Sequence, residues 1–213
     1  MYYLAMHHDT PTAKDHLLDC GERLIANKGF VGVGLAEILS TAGVPKGSFY
    51  HYFGSKERFG EELLVRYLDR YLAQLDALLG AAGSPDSARA RLMRYWSYWN
   101  VAQCNSAPEG GGESGGGTKC LIVKLSAEVA DMSETMRLTL RDGTQRVVQR
   151  LAQCLEEARA DGSVPASLDA PATALTLYEL WLGASLLAKL HRDASPFENA
   201  LRSTGLLLGP APV

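Results

Sequence analysis

The chain has 213 residues and no apolar run approaching the roughly 20 residues a membrane-spanning helix needs. Its first residues, Met1-Tyr2-Tyr3-Leu4-Ala5-Met6-His7-His8-Asp9, lack the basic start and long apolar stretch of a secretion signal. These absences predict a cytoplasmic protein with no membrane partner. Cysteine is sparse: Cys20, Cys104, Cys120 and Cys154. No two form a CxxC pair and none has histidine or cysteine neighbours at zinc spacing, so neither a metal site nor a disulfide framework is expected. The five histidines, His7, His8, His16, His51 and His191, sit in no catalytic motif. No enzyme and no cofactor is expected on that ground. No strand pattern appears anywhere.

A surplus of basic charge is also lacking. The net charge is −3, which at first argues against nucleic acid. The distribution is uneven, however. Between Pro45 and Arg58 stand Lys46, Lys56 and Arg58 against only Glu57, whereas Glu156, Glu157 and Asp161 lie late in the chain. A compact positive face on an acidic body still steers phosphates toward itself. No Arg-rich arm precedes the first helix, so reach into a minor groove is not expected.

What is present is helical periodicity. Hydrophobic residues make up 46% of the chain, enough to bury a substantial core. Leu17, Cys20, Leu24 and Ile25 fall at helical spacing in a first helix over about Ala13 to Asn27, closed by Gly29. Cys20 reads there as a buried small hydrophobe. Leu35 to Val44 is a second, short helix stopped at Gly43. A third follows, Lys46-Gly47-Ser48-Phe49-Tyr50-His51-Tyr52-Phe53. Phe49 and Phe53 are four apart and share a face toward a core. Lys46, Ser48, Tyr50 and His51 are left for other faces, and their side chains suit phosphates and base edges. Helix, glycine turn, helix is the helix-turn-helix reader of DNA.

The segment from about Ala13 to Tyr67, through GVPKGSFYHYFGSKE, resembles the TetR family of repressors. The resemblance implies an all-α fold with two domains: a helix-turn-helix DNA-binding domain at 11–58, then a helical effector and dimerisation domain at 59–213. It implies a homodimer on a palindromic double-stranded DNA operator. Lys46, Gly47 and Tyr50 would then face bases, while Ser48, His51, Tyr52 and Lys56 hold phosphates.

Ser55 is the expected cap of a long fourth helix to about Leu79, broken by Gly83-Ser84-Pro85. The next helix, about Asp86 to Cys104, carries Tyr95, Trp96, Tyr98 and Trp99. Each ring alone suits core packing; the four together suggest the lining of a ligand pocket. Asn105 to Thr118 is glycine-rich, either a natural low-complexity loop or an engineered linker. Helical pattern resumes at Cys120. Ser133 caps a helix to about Asp161, and Asp169-Ala170-Pro171 opens an apolar helix to about His191. The small residues Gly183-Ala184-Ser185 suggest a subunit interface on that helix. A last helix, about Phe197 to Leu208, is expected to be capped by Ser195-Pro196.

Cys120 stands at a predicted helix start. Free amides and the helix dipole would favour its thiolate, with Lys119 and Lys124 nearby, whereas burial would make it inert. Position alone favours neither. The segments Lys119 to Val129 and Leu180 to Lys189 are similar to a branch of the TetR family that responds to oxidants and electrophiles. That similarity implies a sensing cysteine at Cys120 and a lysine at Lys189 that joins the oxidised sulfur. It also implies effectors such as quinones, reactive aldehydes, maleimides and hypochlorous acid. The glycine-rich segment directly before Cys120 departs from that pattern. Three other readings stay open: induction by a non-covalent apolar ligand, a thiol-dependent enzyme, and an engineered redox sensor built on such a repressor.

Overall fold

The computed structural model describes residues 12–80, 85–104 and 120–210, the side chains of 100–104 apart. The N-terminal arm, Gly83-Ser84, the glycine-rich segment, Lys119 and the Cys104 side chain lie outside the described residues. Among those described are nine helices and no strand. They are α1 (Ala13–Lys28), α2 (Leu35–Ala42), α3 (Lys46–Phe53), α4 (Lys56–Leu79), α5 (Ala88–Cys104), α6 (Leu121–Ala130), α7 (Glu134–Ala160), α8 (Ala170–His191) and α9 (Ser195–Leu207). No helix among them is long and apolar enough to cross a membrane.

Local chemistry sets the helix ends. Thr12 and Asp15 close a reciprocal capping box on α1. Ser55, Ser133 and Asp169 accept the amides of Arg58, Met136 and Ala172, starting α4, α7 and α8. Gly43 ends α2 in the left-handed region, at φ 62°, and the Val44 amide then bonds the Leu39 carbonyl. The start of α9 differs from expectation. Its cap position is Ala194, and the Ser195 hydroxyl donates to Asp193 Oδ1 at 2.6 Å instead of capping the helix. Ser195 is already the first helical residue, one position too late to cap.

The buried side chains form two clusters. The first joins α1, α2 and α3 to the first half of α4, to α6 and to the start of α7; Leu17, Ile25, Phe49, Phe53, Phe59 and Leu125 lie at its centre. The second joins the far half of α4 to α5, α7, α8 and α9 around Trp96 and Trp181, whose rings stack at 4.8 Å. α4 runs unbroken from one cluster into the other, across the 58/59 division expected from the sequence. α7 packs along it. The two approach so closely that a Cβ on Gly143 would lie 2.3 Å from Leu68 Cδ1. The first cluster also takes in the apolar side chains of α6, the helix that Cys120 begins.

Two sequence expectations are corrected in the second half. In the run 183–185, Ala184 and Ser185 face the core, where Ser185 Oγ accepts the Trp99 indole N–H at 2.9 Å. Only Gly183 is exposed, so the small residues do not form one outward face. The exposed face of α8 is instead built of Leu175, Leu186, Leu187 and Leu190, beside Leu206 and Leu207 of α9. Tyr98 is 52% exposed and does not join Tyr95, Trp96 and Trp99, which are buried. Positions 95, 96 and 99 share one helix face; 98 lies well round the helix from it.

Candidate nucleic-acid interface and sensor site

α3 is anchored by its two phenylalanines. Phe49 and Phe53 are buried, with ring centroids 5.1 Å apart, and both pack on Phe59 of α4. That anchoring turns the rest of the helix outward. Lys46, Gly47, Tyr50, His51 and Tyr52 are exposed and Ser48 is half-buried. Lys46 Nζ lies 5.8 Å from the centre of the Tyr50 ring, and the rings of His51 and Tyr52 are 5.5 Å apart. The arrangement is one continuous face of donors and aromatic edges on a short rigid helix, of the size a major groove admits.

Lys56 is placed differently from the other six. Its ammonium donates to the Phe30 carbonyl at 2.7 Å and lies 4.5 Å from the centre of the Phe30 ring. Burial lowers its pKa, opposed by the nearby Glu128 carboxylate. It holds the loop between α1 and α2 against the start of α4.

Glu128 was not singled out by the sequence. From α6 its two carboxylate oxygens accept the amides of Phe30 and Val31, at 3.1 and 2.5 Å. Gly29, at φ 82°, makes room for it: a Cβ there would lie 2.8 Å from Glu128 Oε2. Ser133, between α6 and α7, adds a hydroxyl bond to Glu57 at the start of α4. A charged clasp thus ties α6 to the loop that joins α1 and α2. No local signal marks Glu128, since its partners lie nearly a hundred residues earlier.

Cys120 lies at the other end of α6 and is 6% exposed. Its sulfur closes no capping hydrogen bond, yet helix amides lie near it. Burial pushes the thiol above its ordinary value; the Val123 amide, the Tyr67 hydroxyl and the Ile122 amide act the other way without overcoming it. Of the two readings that the sequence left open, desolvation outweighs the helix start. The sequence did not connect Cys120 to Tyr67 of α4, whose hydroxyl is beside it, nor to Tyr71 of α4, Tyr95 of α5 and Tyr178 of α8, which lie within electrostatic range. Periodicity marked the α4 and α8 tyrosines only as core positions. Lys189 is exposed on the last turn of α8, which packs on α6. Cys20 and Cys154 are buried free thiols, and burial pushes the Cys154 thiol up to about 11. No cluster of metal-binding side chains occurs among the described residues.

Nine helices, with a paired reader at one end and a larger bundle behind it, define a two-part helical regulator. Residues 17–63 match the bacterial regulatory proteins of the tetR family, and residues 88–204 match the tetracyclin repressor-like C-terminal domain. The chain belongs to the TetR family. It is 43% identical over 194 residues to the HTH-type transcriptional repressor NemR of Escherichia coli, covering 91% of each chain. It is 35% identical to the transcriptional regulator AcuR of Cereibacter sphaeroides, covering 92% of this chain and 85% of that one. The crystal structure of reduced E. coli NemR superposes with a TM-score of 0.83 at 40% identity, over 94% of this chain and 98% of that one.

Proposed function

We propose that this chain is a homodimeric repressor that binds a palindromic operator through α3 and is released when Cys120 reacts with an oxidant or electrophile. The observation that carries this reading is the span of α6. It begins at Cys120 and, near its far end, clasps the reader through Glu128. A group added to a buried sulfur must displace its neighbours, and the helix that moves is the one holding the reader. Lys46, Gly47 and Tyr50 face bases, with Ser48, His51 and Tyr52 on phosphates. Lys56 positions the reader from behind. The NemR likeness supports the repressor assignment, and the exposed leucines of α8 and α9 support the dimer.

Hypochlorous acid oxidises the thiol to a sulfenic acid and is itself reduced, leaving as chloride and a proton. Attack by the Lys189 amine then forms a sulfur–nitrogen bond and expels water. The deciding test is a gel shift on the full chain. Parent protein should release operator after oxidant and rebind after reductant, and Cys120→Ser should bind and not release. A Cys120→Ser protein that still releases on oxidation would overturn the assignment. The buried aromatic cluster of Tyr95, Trp96 and Trp99 favours a second reading, induction by a non-covalent apolar ligand. That reading predicts reversible release from the Cys120→Ser protein.

A further inference from the structure

The fold uses most of the cations of α1 to α4 on itself. Lys14, Lys28 and Arg66 pair with Glu62, Glu37 and Asp19 at 2.6, 2.5 and 2.5 Å, and Arg70 pairs with Glu22. Arg23 donates to the Cys20 sulfur at 3.3 Å, and Lys56 to the Phe30 carbonyl at 2.7 Å. Two cations are left directed outward. Lys46 opens α3 and lies over the Tyr50 ring. Arg58 is exposed, and among the described residues its side chain has no hydrogen bond, ion pair or ring contact.

The place of Arg58 runs against local chemistry. It is the third residue of α4 after the Ser55 cap, where glutamate or glutamine closes a capping box. In α1 the same position holds Asp15, and the box with Thr12 is closed. A guanidinium in a first turn instead meets the positive end of the helix dipole. The carboxylates one turn on do not relieve it: Glu62 takes Lys14, and Glu61 forms no ion pair with it. An anion from outside reverses the sign of that arrangement, because the guanidinium and the helix end attract it together. Arg58 also stands beside the end of α3. Lys14 lies 5.6 Å from the centre of the Phe53 ring, and Lys14 and Arg58 line one groove between α1 and α4. α3 has eight residues, about 12 Å at 1.5 Å per residue, close to the width of the major groove. Lys46 at its first residue and Arg58 just past its last put a cation at each end of the outward face.

We propose that Arg58 anchors the reader to the DNA backbone, its guanidinium gripping one operator phosphate bidentately at the end of α3 opposite Lys46. This rests on the reading of α3 as the helix that meets DNA. The phosphate contact expected of Lys56 passes to Arg58, because Lys56 is committed to the Phe30 carbonyl. The contact carries no base information. It fixes register and adds affinity through released counterions.

The test uses the full chain and two short duplexes of equal length, one of mixed sequence and one enriched by the parent from a random library. Affinity is measured by fluorescence anisotropy across a series of salt concentrations for the parent, Arg58→Gln and Arg58→Lys. Arg58→Gln supplies a capping-box side chain and should leave the thermal midpoint at or above that of the parent, so lost binding is not lost folding. The expected result is a slope of log affinity against log salt shallower by about one for each bound reader, on both duplexes alike. Affinity at about 0.1 M salt should fall on the order of tenfold, with the preference for the enriched duplex retained. Arg58→Lys should recover the slope, because the charge is kept. An unchanged slope in Arg58→Gln would overturn the proposal, as would loss of preference for the enriched duplex, the mark of a base contact. Failure of the underlying reader assignment would look different. Tyr50→Ala would then bind the enriched duplex like the parent, while the salt slope on the mixed-sequence duplex would still report on Arg58.

Discussion

At the scale of single residues, helical spacing decides which of two neighbouring side chains faces outward and which meets the core. Phe49 and Tyr50 are adjacent, yet one is fully buried and the other 45% exposed. Their spacing alone foretold this, because four-residue repeats of phenylalanine fix the inward face. Tyr50→Ala should therefore leave the helix content and thermal midpoint nearly unchanged. It should weaken operator binding by about 1–3 kcal/mol for a lost base contact, read by gel shift or fluorescence anisotropy. Cys120 was not legible in the same way. Its position at a helix start left a thiolate and a buried inert thiol equally open, and only the fold, by burying it to 6% exposure, decides for desolvation. The pH dependence follows from the sign of that shift. The thiolate is the reacting form, and the thiol is raised above its ordinary value near 9.0. Its rate of alkylation should climb about tenfold per pH unit from neutrality toward pH 9 without levelling off. A plateau near neutrality would show a stabilised thiolate and contradict the burial argument.

At the scale of elements, α6 is the part with two differently built ends. Helix starts and stops were readable because caps are local: Ser55, Ser133 and Asp169 announce their helices within three residues. The start of α9 misled because the helix begins at Ser195 itself, with Ala194 in the cap position. The clasp of Glu128 on the Phe30 and Val31 amides could not be read, since its two sides are joined only by the tertiary fold. Glu128→Ala removes an ionised acceptor from two amides. It should cost about 1–2 kcal/mol of stability, at the low end for charged hydrogen bonds because the site is half-exposed. The more telling outcome is in the coupling. Cys120 should react as before in this variant, while its modification should change operator affinity less than in the parent. Loss of release with adduct formation intact, measured by gel shift beside mass spectrometry, would assign transmission to α6. Unaltered release would place transmission elsewhere, along α4 or α7.

At the scale of the whole molecule, a chain of net charge −3 must bind a polyanion. The outward face of α3 is short and carries a single lysine, Lys46, because Lys56 just beyond it is held by the Phe30 carbonyl. One such face gives weak binding, and two on a rigid dimer bind one palindrome with a large gain in effective concentration. Exposed apolar surface that would hold the proposed dimer lies on α8 and α9. Leu190 is 66% exposed and Leu206 82% exposed, on α8 and α9, which pack against each other. Small residues at 183–185 suggested an interface on α8 from sequence, but the leucines are what the fold turns outward. Each leucine buried on association contributes about 1.5–3 kcal/mol, so two glutamates at these positions oppose assembly strongly while touching neither α3 nor the core. The Leu190→Glu/Leu206→Glu protein should sediment at the mass of one chain and keep the helical signal and thermal transition of a folded bundle. Its operator affinity should fall by about 10²–10⁴, the avidity lost when two readers no longer share one body. Its affinity for an isolated half-site should match that of the parent, because a single α3 is untouched. If the double variant remained a dimer, the subunit interface would lie on another face; if it became monomeric and still bound the palindrome tightly, the two readers would not be acting together.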